Sequence, residues 1–372
     1  MMGRIPDWGR LKNIQLLRSR RRDAPLMREH FYFMEIGIER INDYVFNVSH
    51  NVQYWMVRTM GGEYYHEFIE EGFIAIGYNE IALSELENVN PEDHVAVNQL
   101  RSRVIETYED VSKPGQIVTQ LLRFCKQIRV GDVIVLPGYS SYEISLCRVT
   151  GNVYEEVNLD TRIDKCLFAK RLPIEVVRIT TRLSLSPKAQ MMFNSRHAIS
   201  NIDGYAMYID NSMMDYYDKD DETHVVLKIN TDDEVSASAF FDFYNLMSLT
   251  EEFCQENDIE GTAKDTVMKV QMESKGVLHF ISSKKAFLAL LSLGILFING
   301  GGLKVHCGNF DIDLSTQGVF GAYSEYLDRK MDREVKQSIK NSLDTLQIKT
   351  PEDFMKASIE LYKAQNANRK KY

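Results

Sequence analysis

The 372 residues carry 44 Lys and Arg against 53 Asp and Glu, a net charge of −9, with 44% hydrophobic and 26% charged residues. That balance excludes a low-complexity or collagen-like chain, and the length suits two domains rather than one. The five cysteines (Cys125, Cys147, Cys166, Cys254, Cys307) form no CxxC pair and are odd in number. This argues against a disulfide framework and a structural zinc site and fits a reducing cytoplasm. No metal or cofactor is expected, and the first apolar runs are too short and too interrupted by arginine for a secretory signal.

The net charge hides an asymmetry. Met1 to Arg28 holds eight basic residues against Asp7 and Asp23; Asn51 to Leu100 holds nine acids against Arg58 alone; Arg101 to Arg196 holds fifteen basic residues against ten acidic. A face that tracks phosphate needs local positive charge, not a positive total. Nucleic acid therefore remains open as a partner.

In chain order, residues 1–50 read as a basic arm, including the run RSRRRD, followed by a short lead-in helix over Glu29 to Val48. Tyr54 to Arg58 reads as a strand broken by Gly61-Gly62, Tyr64 to Glu71 as a helix, and Phe73 to Tyr78 as a second strand. Pro91 to Tyr108 and Ile117 to Ile128 have helical spacing, the latter burying Val118, Leu121, Leu122, Cys125 and Ile128. Asp132 to Pro137 and Glu143 to Val149 read as a hairpin with a Gly/Ser tip, and Val153-Tyr154 and Arg171 to Ile179 as further strands. Residues 214–223, an acidic patch, read as a linker to a second α+β domain over 224–372. There we expect a strand at Val225 to Ile229, a helix over Ser236 to Asn257, and a strand pair around Val267 to Ile281. An apolar segment follows at Ala286 to Ile298, then a short strand pair (Leu303 to His306, Phe310 to Leu314) and one charged helix over Tyr323 to Leu343. Pro351 opens a last helix, with Thr350 as its N-cap.

Three stretches carry a resemblance. They are Trp55-Met56-Val57-Arg58 with Gly61-Gly62-Glu63-Tyr64; Phe73-Ile74-Ala75-Ile76-Gly77-Tyr78; and Arg129-Val130-Gly131-Asp132-Val133-Ile134-Val135-Leu136-Pro137-Gly138, closed by Val149-Thr150-Gly151. In this order they resemble the PUA/EVE-like domain found at the N-terminus of some modification-dependent restriction systems and other bacterial defence proteins. There a strand with Trp and Arg, a Gly-Gly turn, an AIGW strand and a GD…VP hairpin recur; Tyr78 stands here where tryptophan is usual. The resemblance covers about residues 53–210 of a recognition domain over 51–213, and implies an α+β chain with a mixed β-barrel that reads a modified or flipped base.

Such a reader holds a planar group between flat side chains and reads its edge. Trp55, Tyr64, Phe73 and Tyr78 are the candidate stacking faces. Gly61, Gly62, Gly77 and Gly138 would let backbone amides come close, and Ser140, Ser141 and Tyr142 at the hairpin tip would read the edge or touch phosphate. Arg58 would contact phosphate or pair with a nearby acid. The competing reading makes Trp55 and Phe73 core residues of alternating strands, and Ser140 and Ser141 turn residues.

No catalytic constellation emerges. Asp311 and Asp313 followed by Glu334-Val335-Lys336 mimic the order of a metal-dependent nuclease, but Glu334 falls inside a helical pattern. The histidines show no metal-protease spacing, and Gly300-Gly301-Gly302 lacks the Gly-Lys-Ser/Thr of a phosphate loop. The apolar segment Ala286 to Ile298 is shorter than the roughly 20 residues a membrane span needs. It is read as a core helix, an oligomerisation helix or a membrane-inserting effector. The leading expectation is a non-enzymatic nucleic-acid sensor in antiviral defence, a possible homo-oligomer through its C-terminal half. A modification-dependent nuclease with an unrecognised catalytic domain and a membrane-acting effector are the alternatives.

Overall fold

A computed structural model describes residues 38, 40–108, 111–162, 165–231, 237–271, 276–299, 304–307, 310–313 and 318–369. The chain is mixed α+β, and its contacts divide it into two compact units: Val48–Met214, and the residues before and after that stretch. The basic arm of residues 1–28 and Gly300-Gly301-Gly302 lie outside the described residues.

Strand β1 (Phe46–Val48) joins the sheet of the second unit. The Val48–Met214 unit is built on β2 (Tyr54–Val57), β3 (Phe73–Ile76), β4 (Val133–Pro137), β5 (Glu143–Val149), β6 (Tyr154–Glu155), β7 (Lys170–Thr181) and β8 (Ile199–Asn201). Their order is β3-β7-β5-β4-β2-β8, with β6 against β7, in a sheet curled into a half-barrel. Strands β2, β3 and β4 are buried at every position. This is why their sequences run apolar rather than alternating: both faces are covered. The curl is placed by β7, whose first residues pair with β3 and whose later ones pair with β5 across a register shift at Leu146/Cys147. An unmatched residue of this kind bends and twists a strand.

The parallel pair of this sheet, β2 with β4, has no hairpin to fix its register, and Asp132 supplies the tie. Its carboxylate, in a residue only 3% exposed, accepts from Gln53 N (3.0 Å), the Trp55 indole Nε1 (3.0 Å) and Arg129 N (2.9 Å). Helices α1 (Tyr65–Glu71), α2 (Leu83–Glu87), α3 (His94–Thr107), α4 (Pro114–Leu122), α5 (Pro187–Gln190) and α6 (Ala206–Met213) complete the unit. Helix α3 starts later than its apolar pattern suggests, because the Asp93 carboxylate caps Val95 N and Ala96 N. Helix α4 passes into a π-helical turn at Arg123–Gln127, so Phe124 joins Cys125 in the core.

The second unit has a sheet in the order β1-β9-β10-β12-β11, antiparallel from β9 to β11, built from β9 (Tyr216–Lys219), β10 (Glu222–Lys228), β11 (Thr266–Gln271) and β12 (Val277–Ser282) with β1. Helices α7 (Ala237–Glu256), α8 (Lys285–Ile298), α9 (Gly318–Lys330), α10 (Arg333–Thr345) and α11 (Glu352–Arg369) belong to it, as does a separate ribbon of β13 (Lys304–Cys307) and β14 (Phe310–Asp313). The apolar segment is α8. Every residue from Ala286 to Ile298 except Phe297 is buried, among side chains of β10, β12, α7, α9 and α10. It is the centre of a core. Among the described residues no helix is long and apolar enough to cross a membrane.

Three expectations are corrected here. The acidic stretch 214–223 is a β9–β10 hairpin, not a linker: Tyr216 and Tyr217 are buried, and Asp220 and Asp221 take the two left-handed turn positions (φ 54° and 63°). Asp218 faces inward, accepting from Asn42 Nδ2 (2.7 Å), Thr223 Oγ1 (2.7 Å) and Lys285 Nζ (2.6 Å). Of the lead-in segment 29–48, Ile38 is helical, Arg40–Tyr44 is a 3₁₀ turn and β1 follows, with Ile38 and Ile41 in the core of the second unit. The charged helix is two helices, because Asp332 caps Glu334 N and Val335 N and restarts the chain as α10. Thr350 does not cap α11. That role falls to Asp215, 137 residues upstream of Glu352, which accepts from Glu352 N (3.0 Å) and Asp353 N (2.9 Å).

Two histidines of this sheet make the stability of the protein depend on pH. His224 Nδ1 and His279 Nε2 lie 2.9 Å apart, and Tyr217 stacks on His224 at 4.6 Å. Burial lowers His224 from 6.5 to about 4 and His279 to about 3. The unfolded imidazoles bind protons below about 6.5 while the folded ones stay neutral, so stability falls as pH drops from 6.5 toward 4, by at most about 1.4 kcal/mol per pH unit per histidine. Burial and the nearby Asp353 carboxylate raise Asp215 to about 6, which opposes this with one proton against two. Urea unfolding at pH 7, 6 and 5 is expected to show the loss, and His279→Gln to flatten it.

Candidate functional site

A cavity of about 700 Å³ opens in the half-barrel unit, within the size range of small-molecule sites. Its apolar walls come from the strand ends Val57, Ala75, Ile76 and Ile199 and from Ile117 of α4. Three aromatic rings, Tyr78, Tyr108 and Phe168, border it. Arg58, Lys113, Gln116 and Gln120 add polar groups.

Each aromatic is placed by a different piece of chain. Tyr78 follows β3 in a left-handed conformation (φ 65°), and its ring stands edge-on to Tyr108 at 5.4 Å. Tyr108, just beyond α3, accepts from Glu80 N through its hydroxyl (3.1 Å), and burial pushes its pKa up. Phe168 lies against Gly77, where a Cβ would come within 3.1 Å of its ring, and it meets Tyr64 edge-on at 5.5 Å. A side chain at Gly77 would press on this ring unless the ring shifted by a few tenths of an ångström.

The polar groups are partly committed. Arg58 Nη2 donates to the carbonyls of Phe193 (2.9 Å) and Ser195 (2.5 Å), while its buried Nε has no partner among the described residues. Arg58 therefore pins the loop before β8 and pairs with no acid among the described residues. Gln120 Oε1 accepts from Ile199 N (2.5 Å), fixing the start of β8 to α4. Gln116 Nε2 and His197 Nδ1 meet at 2.7 Å, bridging α4 to the same loop. Lys113, the residue before Pro114 at the start of α4, is exposed.

Of the residues singled out from sequence, Arg58, Gly77 and Tyr78 line this cavity. Trp55 (1% exposed) and Phe73 (4%) are core: the indole serves Asp132, and Phe73 packs on Phe68 at 5.2 Å under the Arg171 guanidinium. Tyr64 sits behind the cavity, between Phe68 and Phe168. Gly61, Gly62, Gly138, Ser140, Ser141 and Tyr142 gather at the β4–β5 tip and do not line the cavity. Ser140 and Ser141 are both left-handed turn residues (φ 51° and 55°). Tyr108, Phe168, Lys113, Gln116 and Gln120 were not found from sequence. Only the Lys-Pro helix start at 113–114 gave any local signal.

A second cavity, of about 630 Å³, lies in the other unit at the start of α8. Its charges neutralise one another: Lys284 pairs with Glu260 (2.5 Å), Lys285 with Asp218 (2.6 Å) and Arg40 with Asp43 (3.6 Å). Among the described residues no cluster of three or more His, Cys, Asp or Glu could hold a metal, and Glu334 lies in the first turn of α10. No family model matches the sequence, and no curated protein matches it.

The tip glycines bear on stability. A Cβ at Gly62 (φ 107°) would fall 2.5 Å from the Tyr139 backbone, whereas at Gly61 (φ 71°) it would meet nothing within 4 Å. Gly61→Ala is expected to cost about 1–2 kcal/mol, the left-handed penalty alone. Gly62→Ala adds a backbone clash and should exceed about 3 kcal/mol. Denaturant midpoints of the two variants check this.

Proposed function

We propose that the half-barrel unit is a PUA/EVE-like reader that takes one unstacked, modified or flipped base of a nucleic acid into the 700 Å³ cavity. The second unit then carries the output, through assembly or a partner, in a cytoplasmic antiviral-defence setting. The observation that carries this reading is the grouping of Tyr78, Tyr108 and Phe168 around an apolar cavity whose polar groups are few and fixed. Aromatic faces hold any base by stacking, and a small number of oriented amides sorts one base edge from another. The order of the three sequence stretches supports the same assignment, since Arg58, Gly77 and Tyr78 come from two of them. Exposed Lys113 at the cavity rim, with no ion-pair partner among the described residues, suits a phosphate beside an extruded nucleotide.

Fluorescence anisotropy of the full chain with modified and unmodified oligonucleotides, single-stranded and duplex, tests the reading. Base–aromatic stacking contributes about 1–3 kcal/mol per base, so Tyr78→Ala and Phe168→Ala are each expected to weaken binding about tenfold or more. Lys113→Ala should weaken all oligonucleotides alike and lower the salt slope by about 1. A wild-type chain that binds none of these oligonucleotides sinks the assignment.

A further inference from the structure

The β3–β7 ladder ends at the pair Ile76–Lys170, and beyond it the chain leaves the sheet on both sides, as Gly77 to Ile81 and as Leu167 to Ala169. These two departing segments carry Tyr78 and Phe168. Backbone pairing reaches them at Ala169, whose carbonyl accepts from Glu156 N (2.8 Å), and not at either ring, yet both rings must stay in place for the cavity to exist. Side chains replace the missing ladder. Lys170 is 0% exposed, and its Nζ donates to the carbonyls of both Tyr78 and Ile81 at 2.9 Å. Asn79 spans the gap from the other side: its Oδ1 accepts from Ala169 N (3.0 Å) and its Nδ2 donates to Leu167 O (2.7 Å). Those two bonds bracket Phe168.

A buried ammonium is expensive, and a left-handed tyrosine costs a further amount of order 1–2 kcal/mol. Neither would persist unless the surroundings over-determined it, and such strain gathers where a side chain must be aimed. Here one cost answers the other. The cation collects the two carbonyls that the left-handed turn points inward, and the turn aims the Tyr78 ring at the cavity. Glu155, opposite Lys170 in the β6–β7 register, accepts from Leu83 N (3.3 Å) and so ties the far end of the same turn.

We propose that Lys170 and Asn79 are positioning residues, a polar clamp that fixes the Tyr78 and Phe168 rings as the aromatic walls of the cavity; the proposal rests on the base-reading function above. Neither residue lines the cavity, and each acts through a ring that does.

The test places 3-fluorotyrosine at position 78 of the full chain and compares wild type, Lys170→Met and Asn79→Ala by ¹⁹F NMR and by oligonucleotide anisotropy. The clamp predicts one sharp Tyr78 line in wild type, shifted or broadened in both variants. It also predicts a loss of affinity of tenfold or more in each. In a Tyr78→Ala background the further loss from Lys170→Met should shrink to under twofold, because a residue that acts through the ring has nothing left to position. An unchanged ¹⁹F line, or a loss that adds in full to that of Tyr78→Ala, overturns the clamp. If Lys170→Met fails to fold, Asn79→Ala, a change at an exposed side chain, is compared in a Phe168→Ala background, where its further loss should likewise shrink to under twofold. If wild type binds no oligonucleotide, the base-reading function fails by itself, and the ¹⁹F comparison alone decides the clamp.

Discussion

The half-barrel depends on one carboxylate. Strands β2 and β4 run parallel, so nothing in the chain's local geometry sets them side by side, and the three N–H groups that converge on Asp132 do so instead. A buried carboxyl group that meets three N–H donors is held in one orientation. With β2 fixed against β4, Val57 and Arg58 emerge at a defined height, and Arg58 in turn collects the Phe193–Ser195 loop that leads into β8. The Gly-Asp pair at 131–132 thus acts at a distance: it positions one wall of the cavity without touching it.

The cavity is made where ordered pairing stops. Its walls are strand ends, a helix start and loops, and side chains add tethers where the sheet gives out: Gln120 to Ile199 at the start of β8, Gln116 to His197, Arg58 to the Ser195 carbonyl, Tyr108 to Glu80. Amide and guanidinium groups suit this task, since each offers several donors in a fixed plane. The second unit shows the opposite economy. Its central helix α8 has almost no exposed surface, and the polar groups around its start are consumed in ion pairs.

Much of the half-barrel was legible because the strands are short, apolar and punctuated by glycine, and because Gly131-Asp132 and Gly61-Gly62 do jobs that few other residues can do. The walls of the cavity were less so. Phe168 and Tyr108 have no periodicity to announce them, and their meaning comes from Gly77 and Tyr78, some 30 and 90 residues away in sequence. Trp55 was prominent as a letter, yet its ring is spent on Asp132. The acidic run 215–222 misled for a physical reason: its charges were counted together, whereas the hairpin divides them. Asp218 turns inward to three donors, Asp215 caps a remote helix, and Asp220-Asp221 form the turn. Charge composition cannot separate those roles; alternation with Tyr216 and Tyr217 does.

The cap on α11 has a consequence for how the protein is made. Asp215 receives its donors from Glu352 and Asp353, Tyr216 packs on Phe354, and the 3₁₀ turn at Arg40–Tyr44 gives Asn42 to Asp218. The half-barrel is contiguous in sequence and interrupts this other unit, whose parts are emitted by the ribosome first and last. Synthesis therefore completes the half-barrel while the strands and turns around it still wait for their closing helix. Throughout that interval Tyr216, Phe280 and the apolar length of α8 lack part of their cover. The nascent chain is most exposed to aggregation and to chaperone capture in the stretch between the emergence of α8 and that of α11.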